Sequence, residues 1–230
     1  MAKTKTRAYL VVTIIILFFV LLASILIFNY RAYLFVSFLI IISMMLPFFT
    51  RFEVNEIKAR EIVMLAMLAA IAAISRVPFA GLPSVQPTSF VIIMTGIVFG
   101  AESGFLVGAV AAIASNIFLG QGPWTPWQMY AWGMMGLSAG LLRHTWLLTT
   151  NFGKVIFGFI WGYVFGWFMN LWIVVSNIEN LTWEWFVTIY VSSVYFDLAH
   201  GLSNVLFLIL FSASWLKVME RLQKKYGLLS

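Results

Sequence analysis

Apolar residues fall in eight runs along the chain, at 9–30, 32–49, 62–77, 88–100, 103–119, 127–148, 155–175 and 183–216. Most of these runs approach the roughly 20 residues that a helix needs to cross the hydrocarbon core of a bilayer. In that medium every backbone N–H and C=O must find its partner within the protein, so such runs fold as helices. Composition agrees, since 63% of the 230 residues are hydrophobic and 10% are charged. The mean hydropathy of +0.99 is one that soluble domains of this length do not reach. The expected fold class is an all-α integral membrane protein, a polytopic helical bundle.

The run at 88–100 is short. At about 1.5 Å per residue it covers about two thirds of a bilayer core, so the Pro-rich link before it is expected to dip toward the membrane. Irregular backbone at that depth needs protein or a watery cavity around it, which already hints at a site. The first run follows Lys3, Lys5 and Arg7 but is longer than the h-region of a signal peptide and has no small-residue cleavage pattern after it. It reads as a retained helix. There is no cysteine, which excludes disulfides, thiolate nucleophiles and cysteine metal sites.

Eight crossings with an inside N-terminus put Lys3, Lys5, Arg7, Arg51, Lys58, Arg60, Arg143, Lys154, Lys217, Arg221, Lys224 and Lys225 on the cytoplasmic side. Only Arg31 and Arg76 fall outside that set. The positive-inside bias therefore supports the count and a cell-membrane orientation with both termini cytoplasmic. Topology explains most of the net charge of +6, and no nucleic-acid partner is implied. On this reading the outer face carries "RVPFAGLPSVQP" (76–87), "GQGPWTPWQ" (120–128) and "SNIENLTWEW" (176–185).

Three small-residue ladders stand out. Ala66 and Ala70, with Ala69 and Ala73 on an adjoining line, give one; Gly100, Gly104, Gly108 and Ala112 give a second; Gly158, Gly162 and Gly166, followed by Asn170, give a third. Such spacing lets helices approach closely in lipid. Packing within the chain is the plain reading of each. Of the three, the flat alanine face of 62–77 is the one expected to meet a partner.

Signs of enzymatic chemistry are few. No GxxxxGK[ST] loop occurs, and His144 and His200 lie far apart with no metal-ligand spacing. No catalytic residue, metal or cofactor is assigned. Asp197 and His200, with Asn204 beyond them, are the one ionisable pair within a span, and spacings of three and seven put all three on one helix face. An internal hydrogen-bonded lock, a proton relay or a ligand contact would each explain them. In the loop at 120–128, Trp124 and Trp127 stand beside Pro123 and Pro126, with Gln121 and Gln128 close by and Asn116 just before. An aromatic belt at the interface needs no such stiffness, whereas a pocket for a bulky organic molecule gains from it.

From about Glu61 to Leu142 the sequence "LAMLAAIAAISR…LPSVQPTSFVIIMTGIVFGAESGFLVGAVAAIASNIFLGQGPWTPWQMYAWGMMGLSAGLL" resembles the substrate-binding S component of an energy-coupling factor (ECF) transporter. The resemblance implies a six-helix core at 51–230, preceded here by an additional two-helix hairpin at 1–50. It implies capture of a vitamin or similar micronutrient from outside, then delivery through a transmembrane coupling subunit and two cytoplasmic ATPases. Ala66, Ala70, Ala69 and Ala73 match the family's AxxxA motif and would meet the coupling subunit. The ligand would lie under the loops 76–87 and 120–128, within reach of Gln86, Asn116, Gln121, Trp124, Trp127 and Gln128, with Asn170, Asp197 and His200 from the last two helices. The tryptophan-rich loop looks most like cobalamin-type components; riboflavin or a queuosine precursor would suit it nearly as well. Two other classes stay open at this point: a proton-coupled carrier using Asp197 and His200, and a polytopic membrane enzyme.

Overall fold

The computed structural model describes residues 58–177 and 182–227, together with positions 12, 16, 19, 20 and 43. The runs at 9–30 and 32–49 therefore lie essentially outside the described residues. The chain divides into two compact units, Met1–Ile57 and Lys58–Ser230, and residues 58–177 and 182–227 belong to the second.

All regular structure among the described residues of this unit is helical: α1 (Ala59–Ser75), a 3-10 turn (Val77–Phe79), α2 (Pro87–Phe99), α3 (Ala101–Leu119), α4 (Thr125–Leu141), a one-turn α5 (Trp146–Thr149), α6 (Asn151–Ser176) and α7 (Trp183–Tyr226). Four of these stretches, Ala59–Phe79, Ala101–Leu119, Asn151–Val174 and Trp183–Tyr226, are long and apolar enough to cross a membrane, and Pro87–Phe99 is a shorter apolar helix.

Local signals place the ends. The Lys58 N–H donates to Glu61 Oε2 at 3.2 Å, satisfying one of the orphan donors at the start of α1. Proline stands at the start of α2 and within the first turn of α4, where its missing N–H is not needed. Thr150 and Thr182 cap α6 and α7, their hydroxyls accepting from the N–H groups of Gly153 and Trp185. Gly100 ends α2 and begins α3 with φ +93°, a conformation that favours glycine.

Two boundaries differ from the sequence expectation. The run at 127–148 is broken, because α4 ends at Leu141 and the chain turns through 142–145 before α5. The last helix continues ten residues past 216 to Tyr226. Apolarity stops there, but Lys217–Tyr226 is rich in helix formers, and the helix ends only where Gly227 turns left-handed with φ 56°. At 44 residues α7 is about 66 Å long, so it extends beyond any single crossing.

The short α2 is the centre of the bundle. Twelve of its thirteen residues are buried, as expected of a helix that is apolar all round. α3 and α4 meet backbone to backbone, since a Cβ at Gly104 would collide with the Gly136 carbonyl and one at Gly108 with that of Trp132. α6 and α7 make the second close pair, with Gly162 against the Gly201 backbone, Gly158 against Leu208 and Gly166 against the Asp197 carboxylate. Two of the three small-residue ladders thus serve packing within the chain. The first one is split: Ala69 and Ala73 are 3% and 2% exposed, whereas Ala66 and Ala70 lie on the outer face. There they are flanked by Val63, Met67, Ile71 and Ile74, all exposed.

The candidate site is a polar cluster around Arg76

Arg76 follows the last residue of α1. Its Nε donates to Gln86 Oε1 at 3.1 Å, across the loop that leads into α2. Its Nη1 donates to Ser115 Oγ at 2.5 Å and to Asn116 Oδ1 at 3.0 Å, both on α3. The guanidinium lies over the ring of Trp132 on α4, 4.7 Å from the centroid. One side chain therefore ties together the loop and two helices.

From Asn116 the network continues into the tryptophan-rich loop. Asn116 Nδ2 donates to Gln128 Oε1 at 2.7 Å and to Thr125 Oγ1 at 3.1 Å. Thr125 Oγ1 donates to Gln121 Oε1 at 3.0 Å, and Gln121 Nε2 donates to the Ile113 carbonyl at 2.8 Å. Asn116, Thr125 and Gln128 are buried and Gln121 is exposed. Buried amides of this kind are tolerated because each finds partners. A second branch runs inward from Trp132, whose Nε1 donates to Ser89 Oγ at 3.2 Å; Ser89 shares a 2.8 Å hydrogen bond with His200 Nε2. The His200 ring stands edge-on to Phe165, 4.9 Å between centroids.

The loop 76–87 reaches the middle of α7. The Gln86 N–H donates to Ser203 Oγ at 3.1 Å, and Phe79 packs edge-on against Phe207 at 5.7 Å. Ser203 lies about 30 Å along α7 from its N-terminus by helical rise, so the loop sits well inside the span of that helix.

The residues expected to bind ligand are thus partly gathered and partly separate. Gln86, Asn116, Gln121 and Gln128 join one network through Arg76. His200 is linked to that network through Ser89 and Trp132. Trp124 is half-buried, its ring 6.5 Å from that of Trp172 and packed over Gly122. Trp127 is 1% exposed, a core residue of α4 in this structure. Asn170 and Asp197 form another cluster between α6 and α7, in which Asn170 Nδ2 donates to Ser193 Oγ at 2.7 Å and Ser193 Oγ to Asp197 Oδ2 at 2.9 Å. Asp197 and His200 share a helix face but make no hydrogen bond with each other.

Arg76, Ser89, Ser115, Thr125 and Trp132 are participants that the sequence did not assign to the site. A signal was present for Arg76, which stands beside an apolar helix outside the positive-inside set. An ionisable residue at membrane depth is by default a functional candidate.

The family model described as "ECF-type riboflavin transporter, S component" matches residues 56–217, more than half of the chain. The chain belongs to that S-component family. The chain matches that model from just before α1 into α7. It is also similar to a UPF0397 protein of Vibrio atlanticus (strain LGP32), 31% identical over 88 residues, covering 36% of this chain and 48% of the relative. A UPF0397 protein of Aliivibrio fischeri (strain MJ11) is 29% identical over 91 residues, covering 37% of this chain and 49% of the relative. The chain spans about half the length of these curated relatives. No solved structure matches it.

Proposed function

We propose that this S component captures a heteroaromatic micronutrient of the vitamin class at the outer end of the bundle and passes it to a transmembrane coupling subunit served by two cytoplasmic ATPases. The observation that carries this reading is the family match from 56 to 217. The clustering of Gln86, Asn116, Gln121 and Gln128 around Arg76 supports a polar recognition site beside the half-buried Trp124. Riboflavin, from the family description, and cobalamin, from the tryptophan-rich loop, are the ligands to test first. Of the four alanines expected to meet the coupling subunit, Ala66 and Ala70 are the contacts proposed first, because they are exposed while Ala69 and Ala73 are buried in this chain.

Reconstitution with an ECF module in proteoliposomes tests the reading. The expected result is ATP-dependent uptake of one of the two vitamins and co-purification with the coupling subunit. A chain that neither assembles with the module nor supports uptake would contradict it. Trp124→Ala should weaken ligand binding while leaving assembly in place.

A further inference from the structure

The geometry points to Arg76 as the contact for a carboxylate or phosphate group on the captured molecule. A guanidinium presents five N–H donors in a rigid fork. Nε and Nη1 supply three of them to Gln86, Ser115 and Asn116, all neutral acceptors. Nη2 makes no hydrogen bond to any described residue. It is not among the buried polar atoms without partners, which among the described residues are Ser103 Oγ, Asn204 Oδ1 and Trp215 Nε1, and Arg76 as a whole is half-buried. Nε, Nη1 and one face of the group are engaged, while its remaining NH2 has no partner among the described residues.

Charge leads to the same conclusion. No described carboxylate pairs with Arg76, and the Asp197 carboxylate accepts instead from Ser193. A half-buried cation with no counter-ion among the described residues attracts an anion more strongly than it would in water. The planar fork matches carboxylate and phosphate oxygens. Bridging the loop to α3 would occupy Nε and Nη1, but a neutral amide could bridge without bringing a charge into the bundle. The Trp132 face takes up part of the charge, but the charge has no anionic partner and Nη2 no acceptor among the described residues.

This inference rests on the substrate-capture reading, and its test is separable from it. Purified protein is titrated with matched neutral and anionic probes: riboflavin and riboflavin 5′-phosphate, pyridoxal and pyridoxal 5′-phosphate, nicotinamide and nicotinate. At least one pair should favour its anionic member by about tenfold, the scale of one charge-assisted hydrogen bond. R76Q should erase the preference and R76K should keep part of it, since lysine retains the charge but not the fork. No preference in any pair, including no binding at all, overturns the assignment, as does a preference that survives R76Q. Assembly with the ECF module, measured on the same proteins, reports on the substrate-capture reading by itself. A parallel arm compares phosphatidylcholine nanodiscs with and without phosphatidylglycerol. Retention of phosphatidylglycerol that depends on Arg76, with no preference in any pair, moves the site to a lipid headgroup and overturns its assignment to the captured molecule.

Discussion

The guanidinium of Arg76, at the loop end of α1, rests 4.7 Å above the ring of Trp132, a fully buried residue of α4. The ring supports the charge from below while its own N–H is held by Ser89. A phenylalanine at this position keeps a ring, but loses the donor and presents a weaker face to the cation. Trp132→Phe is expected to cost about 1–2 kcal/mol, combining a hydrogen bond of about 1 kcal/mol with a weakened cation–π contact. Denaturant-induced unfolding in mixed micelles measures it, and wild-type stability would remove Trp132 as the support for Arg76.

The close crossing of α3 and α4 depends on two glycines facing each other. A methyl group at Gly136 would meet the Gly104 backbone, which cannot move aside as a flexible side chain could. Gly136→Ala should destabilise the bundle by about 1–3 kcal/mol, the usual range for overpacking. Gly81 offers the control, because a Cβ there meets nothing within 4 Å and its φ is not in the left-handed range. Gly81→Ala should be neutral or slightly stabilising. Thermal melts of the two variants side by side distinguish a packing effect from a general intolerance of alanine.

The helices of residues 58–227 were legible in the sequence because lipid leaves the backbone few alternatives, and two of the small-residue ladders announced close crossings. Which ladder faces outward was legible only in part. Ala66 and Ala69 are equally small, and only the wrapping of α1 around α2 and α3 decides that one is exposed and the other buried. The turn after Leu141 was hidden by the apolar residues on both sides of Arg143 and His144. The polar cluster proposed as the site was half legible: amides beside prolines and tryptophans marked the loop at 120–128, yet Arg76, which ties the cluster together, lies in another loop. A lone arginine after an apolar helix reads as an exception to topology until the fold brings Gln86, Ser115, Asn116 and Trp132 around it.

Asp197 is buried and accepts from Ser193, apart from the Arg76 network. Asparagine is nearly isosteric and keeps an oxygen to accept that bond. An ATP-driven S component should therefore tolerate Asp197→Asn, with uptake in proteoliposomes within about threefold of wild type and unaffected by a proton ionophore. A carrier that moves protons through this carboxylate would instead lose gradient-driven uptake altogether. Abolished uptake by a well-folded Asp197→Asn protein would favour the proton-coupled mechanism.

Ala66 and Ala69 stand three positions apart on α1 and face different surroundings, which makes them a matched pair for separating coupling from folding. Ala66 lies on the exposed apolar line with Met67, Ala70 and Ile74, where a larger side chain meets lipid in the isolated chain. Ala66→Trp should leave stability within about 0.5 kcal/mol and preserve ligand binding, yet prevent a coupling subunit from approaching the small-residue face. Ala69 is 3% exposed inside the bundle, and tryptophan there must displace its neighbours. Ala69→Trp should lower stability by about 1–3 kcal/mol or more and impair ligand binding together with assembly. Co-purification with an ECF module, read beside ligand affinity for each variant, checks both expectations. If Ala66→Trp assembles as well as wild type, the coupling surface lies on another helix.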